Sequence, residues 1–362
     1  MPTLFDPIQL GAIAAPNRIL MAPLTRGRGT RGHVPTPLMS EYYAQRAAAG
    51  LIISEATGIS QEGLGWPYAP GLWSDEQVEA WKPVTDAVHE AGGRIVAQVW
   101  HMGRIVHSSV TGQQPVSSSA TTAPAYAHTY DGKQPYEEAR PLALAEIPRV
   151  IDDYRRAAAN AIKAGFDGVQ LHAANGYLID QFLRDNSNFR DDIYGGSIEN
   201  RIRLLDEVTR ALVEVVGADR TGVRLSPNGD VQGANDSNPQ ALFTAAAARL
   251  SDIGIAFLEM REPQGDSSFR PREVPPIAPA IREVFKGALI LNSDFTPDSA
   301  ERTIQSGLAD AIAFGRPFIA NPDLVDRIAK GLPLAAPDMA TLYSQGPEGY
   351  TDYPVAEETV AA

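Results

Sequence analysis

The 362-residue chain has no cysteine. That absence excludes disulfides, thiolate metal sites, iron–sulfur clusters, a cysteine nucleophile and a cysteinyl cofactor link. Positive charge is also short, with 31 basic against 44 acidic side chains and a formal charge of −13. Nucleic acid and anionic membrane are therefore not expected as partners, because both demand a basic surface. No apolar run approaches the roughly 18 residues of a membrane span. The opening Met1-Pro2-Thr3-Leu4-Phe5-Asp6 lacks the basic and apolar regions of a signal peptide. A cytoplasmic location is expected.

Glycine (31) and proline (28) are plentiful but spread along the chain, so turns separate many short elements. Apolar runs that read as strands recur at 18–24, 51–57, 94–100, 168–173, 221–226, 255–261, 288–292 and 311–315. Several are continuously apolar, as parallel strands buried on both faces should be. Helix-period stretches alternate with them at 37–49, 75–91, 148–164, 197–216, 239–251, 275–285, 297–306 and 322–330. Eight β–α pairs predict an α/β TIM (β/α)8 barrel forming a single domain over 1–362. A doubly wound sheet is the alternative, but Pro23-Leu24-Thr25-Arg26-Gly27 stands where its Gly-x-Gly-x-x-Gly would follow the first strand. Residues 6–16 suit an N-terminal hairpin cap on the barrel bottom. Residues 104–145 form an excursion after strand 3, over the mouth, and the tail 333–362 is expected to dock.

A TIM barrel works at the C-terminal ends of its strands. Those ends carry Thr25, Glu55, Gln98, His101, His172, Asn175, Tyr177, Arg224, Asn292, Ser293, Gly315 and Arg316. Most are hydrogen-bond donors, which suits a ligand rich in carbonyl and phosphate oxygens. Gly315 and Arg316 follow strand 8, a usual phosphate position in this fold; Arg316 paired with a surface carboxylate is the plainer reading. His172 and Asn175 can face one ligand oxygen while Tyr177 stands opposite. A phenol with a pKa of about 10 donates a proton at neutral pH but is a poor base. Taken alone, that trio reads better as a loop-holding histidine and a buried tyrosine with a satisfied hydroxyl.

Other chemistries fare worse at these positions. A Schiff-base aldolase needs a lysine in the mouth, yet none of Lys82, Lys133, Lys163, Lys286 and Lys330 ends a predicted strand. The six histidines include no His-x-His, so no metal site is expected. Glu55 and Glu259 are candidates for a glycosidase pair, although Glu259 can equally be structural. Trp66, Tyr68, Trp100 and Tyr343 are candidates for a substrate wall, and Asp191-Asp192 and Glu357-Glu358 read as solvated surface.

Together the landmarks identify a family resemblance. They are Asn17-Arg18, Met21-Ala22-Pro23-Leu24-Thr25-Arg26, Ser54-Glu55-Ala56-Thr57, Gln98-Val99-Trp100-His101-Met102-Gly103-Arg104, Gly165-Phe166-Asp167-Gly168-Val169-Gln170-Leu171-His172, Tyr194-Gly195-Gly196-Ser197-Ile198-Glu199-Asn200-Arg201, Arg224-Leu225-Ser226-Pro227 and Gly315-Arg316-Pro317-Phe318. In this order the chain resembles the old yellow enzyme family of FMN-dependent ene-reductases, in its bacterial pentaerythritol tetranitrate reductase-like and NCR-type branch. The likeness runs from Leu4 to Pro354.

The resemblance implies non-covalent FMN, NADPH or NADH as hydride donor, and small electron-poor alkenes as substrates: α,β-unsaturated aldehydes and ketones, maleimides and nitroalkenes. It implies that Thr25 bonds flavin O4, that Pro23, Leu24 and Ala56 present backbone to the ring, and that Gln98 and Arg224 bind its pyrimidine edge. Asn292, Ser293, Gly315 and Arg316 match the phosphate region. His172 and Asn175 correspond to the pair gripping the substrate oxygen, and Tyr177 to the proton donor after hydride leaves flavin N5. Trp66, Trp100 and Tyr343 would line the substrate. Many bacterial relatives carry histidine where Asn175 stands, which bears on substrate preference, and some carry cysteine where Thr25 stands. An FMN barrel oxidising hydroxy acids, a flavin-free phosphate-dependent lyase or isomerase, and a non-catalytic binding barrel are the rival readings.

Overall fold

The computed structural model describes residues 1–263 and 274–356. Eight parallel strands pair in one closed circle: β1 (Ile19–Met21), β2 (Ile52–Ile53), β3 (Ile95–Trp100), β4 (Gly168–His172), β5 (Thr221–Leu225), β6 (Phe257–Arg261), β7 (Ala288–Asn292) and β8 (Ala311–Phe314), with β8 back against β1. The TIM barrel is thus the architecture, not the doubly wound sheet. Around it lie α1 (Pro37–Ala44), α2 (Asp75–Glu90), α3 (Ile147–Lys163), α4 (Arg203–Val216), α5 (Pro239–Ile253), α6 (Ala278–Val284), α7 (Pro297–Gln305) and α8 (Leu324–Lys330).

The two-residue period of each strand divides its side chains between two cores. Ile19, Val99, Val169, Leu171, Val223, Leu258 and Leu289 point outward into one large cluster with the helices. Leu20, Leu51, Ile53, Val96, Phe257, Ile290 and Ala311 point inward and fill the lower barrel. An antiparallel hairpin, Ile8–Leu10 with Ile13–Ala15, adds Leu10 and Ile13 to that inner cluster. Its Ala12 N–H donates to Asp219 O at 2.7 Å. Above the apolar layer the inward positions turn polar, at Gln98, Gln170, Arg224, Glu259 and Asn292.

Gly222 shows how tightly the inner layer is filled. It lies opposite Phe257 in the β5–β6 register, and a Cβ there would sit 2.3 Å from the Phe257 ring. Gly222→Ala is expected to destabilise the barrel by roughly 1–3 kcal/mol through overpacking. Chemical denaturation checks this, and an unchanged midpoint would show that the ring relaxes freely.

Several expected boundaries move. Strand 51–57 breaks after Ile53 and resumes as Thr57–Gly58, because Glu55 turns aside to accept backbone N–H groups of Arg26 and Gly27. Helix 197–216 is two helices, Ile198–Arg201 and α4, joined at Ile202. The excursion contains an antiparallel hairpin, Tyr126–Thr129 with Gly132–Pro135. Asp192 is more than solvated surface: it accepts the buried Arg190 guanidinium at 2.6 Å and the Tyr194 N–H at 2.9 Å. Glu357-Glu358 lies outside the described residues.

The tail is held by three buried arginines. Arg26 donates to Gly349 O at 2.6 Å and to Leu342 O at 3.2 Å, and lies over the rings of Tyr42 and Tyr350. Arg28 donates to Thr341 O, Leu342 O and Glu348 O. Arg46 donates to Tyr350 O at 3.5 Å and is itself anchored on Phe318 O and Ile319 O after β8. Charge-assisted bonds to otherwise bare carbonyls fix an irregular segment that has no ladder of its own.

Candidate active site

At the C-terminal ends of the strands lies a cavity of about 880 Å3, within the size range of small-molecule sites. Pro23, Leu24 and Thr25 follow β1; Arg224 belongs to β5, Asn292 and Ser293 to the end of β7, and Gly315 and Arg316 to the end of β8. All line the cavity, together with Trp66, Asn175, Tyr177 and Tyr343. Four other expected residues stand in its buried surroundings. Ala56 and Gln98 are buried, His172 packs edge-on to Tyr177, and Trp100 is packed behind both.

The turn after β4 is tightly specified. Asn175 takes φ 58° and Gly176 φ 77°, a consecutive left-handed pair that asparagine and glycine tolerate best. Gly176 N–H donates to Asp180, whose other oxygen receives Arg184 at 2.8 Å, and Arg184 also donates to Ser226 O. Gln181 ties the same turn to the loop after β3 by donating to both Gly176 O and Met102 O. These bonds over-determine a strained turn, as functional turns require.

Within that frame three rings meet. Tyr177 lies 4.8 Å from His172 and 4.9 Å from Trp100, edge-on to each. Ala174 N–H donates to His172 Nδ1 at 3.3 Å, so the neutral ring carries its proton on Nε2. Burial, reinforced by the Arg224 charge, holds the His172 pKa well below the usual histidine range. Burial likewise raises the Tyr177 phenol well above its ordinary value, an effect that a bond from Gln232 partly opposes. The pair is therefore a neutral donor and a protonated phenol. Among the described residues none bonds the buried Asn175 Oδ1.

A polar chain crosses the barrel below. Gln98 Nε2 donates to Gln170 at 2.6 Å, Gln170 Nε2 to Glu259 at 2.8 Å, Arg224 Nη2 to Asn292 at 2.8 Å, and Asn292 Nδ2 to Ala313 O at 2.7 Å. Arg224 Nε, buried and without a hydrogen bond, lies 3.5 Å from Glu259. Ser293 (φ 115°) and Asp294 (φ 55°) form a left-handed pair, and Arg316 is ion-paired with Asp294. Glu55 and Glu259 do not face a common substrate: Glu55 holds the β1 loop and Glu259 lies beside Arg224. Among the described residues no group of three or more His, Asp or Glu side chains could hold a metal ion.

This donor set fits FMN. A flat ring system needs hydrogen-bond donors along one edge, and the mouth offers Thr25, Arg224 and Asn292. A phosphate needs small, basic surroundings, and Ser293, Gly315 and Arg316 supply them; a Cβ on Gly315 would meet only Leu24, at 3.5 Å. Asn175 Oδ1, buried and without a hydrogen bond among the described residues, is an acceptor that a bound group carrying an N–H can satisfy.

The model of the NADH:flavin oxidoreductase / NADH oxidase family matches residues 3–335. The chain belongs to that family. A solved old yellow enzyme homologue from Zymomonas mobilis, NCR, is 62% identical with a TM-score of 0.97, over 98% of this chain and 100% of that one. Morphinone reductase in complex with tetrahydroNAD is 45% identical with a TM-score of 0.93, over 99% of each chain. A putative 12-oxophytodienoate reductase from Oryza sativa subsp. japonica is 43% identical across 97% of each chain. The old yellow enzyme resemblance is thereby established, and with it an FMN-dependent oxidoreductase. Among the described residues no helix is long and apolar enough to cross a membrane.

Sequence reasoning missed several wall residues. Arg261 ends β6 and lines the cavity, so the strand-end rule alone would have found it. Leu334, Pro337, Met339 and Leu342 also line it from the tail, a consequence of the arginine clamp.

Proposed function

We propose that the protein reduces the C=C bond of electron-poor alkenes, such as enones, enals, maleimides and nitroalkenes, with electrons from NADPH or NADH. The observation that carries this reading is the neutral His172 and protonated Tyr177 set edge-on, 4.8 Å apart, beside Asn175, which lines the cavity with Tyr177 and can donate from Nδ2. FMN supplies the two-electron chemistry when bound, held by Pro23, Leu24, Thr25, Ala56, Gln98 and Arg224 around the ring and by Asn292, Ser293, Gly315 and Arg316 around the phosphate. His172 Nε2–H and the Asn175 amide hold the substrate's activating oxygen, and their hydrogen bonds strengthen as negative charge develops there. Tyr177 gives its phenolic proton to the α-carbon. Trp66 and Tyr343 confine the alkene, with Trp100 supporting from behind. The excursion 104–145 and the tail from 333 belong to the same catalytic unit.

A hydroxy-acid oxidase would require a base near neutral pH, and a phenol pushed upward by burial is the reverse of one. Anaerobic titration separates the two. NADPH or NADH is expected to bleach the flavin, and one equivalent of 2-cyclohexenone to restore its colour. Bleaching by a hydroxy acid, or no recovery with any enone, maleimide or nitroalkene, would refute the reading.

A further inference from the structure

Glu259 is a buried carboxyl that the proposed reaction does not use; burial raises its pKa, and the Arg224 charge and the Gln170 bond oppose that rise and favour the carboxylate. It points inward from β6, in register with Arg224 on β5, and is 0% exposed. Its Oε2 accepts from Gln170 at 2.8 Å, and its Oε1 has no hydrogen bond but lies 3.5 Å from Arg224 Nε. Gln170 is fixed in turn by Gln98 at 2.6 Å, so the carboxylate cannot swing away. Arg224 is tethered from the other side by Asn292, which directs its remaining N–H groups to whatever fills the cavity it lines.

We propose that Glu259 is a positioning residue that lowers the reduction potential of the bound flavin by offsetting the positive field of Arg224. The inference rests on the proposed placement of the flavin ring against Arg224. Two-electron reduction adds electron density to the ring. An unopposed guanidinium favours the reduced form, and a carboxylate beside it on the neighbouring strand weakens that preference. In a barrel interior shielded from water, a charge at this range acts with little screening. The same anchor holds the Arg224 guanidinium in one orientation.

The test is the midpoint potential of the FMN-loaded full-length protein, measured against indicator dyes, together with the FMN dissociation constant. Glu259→Gln keeps the shape and the Gln170 bond but removes the charge. It is expected to shift the oxidised–reduced equilibrium roughly tenfold toward reduced, about 30 mV more positive for a two-electron couple. Glu259→Asp keeps the charge and is expected to move the potential by less than about a third of that. No positive shift in Glu259→Gln, or equal shifts in both variants, overturns the proposal. If Glu259→Gln does not fold, the aspartate variant decides: a positive shift as large as about 30 mV with the charge retained overturns it. Arg224→Met separates the premise from the inference. It is expected to weaken FMN binding and make the potential more negative. If it does neither, the flavin placement fails and the inference with it; if it does both while Glu259→Gln is silent, only the inference fails.

Discussion

Tyr177→Phe is expected to slow alkene reduction by about 10²–10⁴-fold, the usual contribution of a positioned general acid. Reduction of the flavin by nicotinamide should change by no more than about twofold, because that half-reaction needs no proton from the phenol. Phenylalanine keeps the edge-on packing against His172 and Trp100, so the lost group is the hydroxyl alone. Stopped-flow measurement of the two half-reactions gives the comparison, and equal slowing of both would remove Tyr177 from the role. The pH profile supplies a second check. Burial raises the phenol's pKa, so the competent protonated form persists through neutral pH and is lost only as the medium passes that raised value. The alkene half-reaction of the wild type should stay level through neutrality and fall only in strong alkali.

His172→Ala should cost about 10²–10³-fold in the alkene half-reaction, comparable with removing one oxyanion donor. The loss should be larger in the reduction step than in enone binding, because the hydrogen bond strengthens as charge moves onto the oxygen. Asn175→Ala should act in the same direction. The double variant should lose less than the product of the two, since both donors serve one oxygen. Multiplicative losses would place them on different atoms. His172 is held neutral by burial and the nearby Arg224 charge, so its Nε2–H donor should be insensitive to pH across the neutral range. A rate that rises on acidification through the ordinary histidine range would contradict this.

The barrel was legible because its signals are local. Each strand is short, apolar and bounded by turn residues, and each helix carries the opposite period, so eight β–α units can be counted along the chain. Residues at strand ends were equally legible: once the architecture is known, Thr25, Arg224, Asn292 and Gly315 are expected on one mouth, and all four line the cavity. Glu55 illustrates the limit. A carboxylate after a strand looks catalytic, yet its Oε2 accepts two backbone N–H groups of the neighbouring loop and its Oε1 the Tyr43 hydroxyl.

The sequence by itself determined the fold class, the family and the donors gathered at the strand ends, because these follow from periodicity and from motifs read in order. Only the tertiary structure decided which charges are partnered. The ties of Arg26, Arg28 and Arg46 to the tail, and the pairing of Glu259 with Arg224, join residues far apart in the chain. The reason is that a buried polar group must find its partner across the barrel, where position along the chain carries no information about distance.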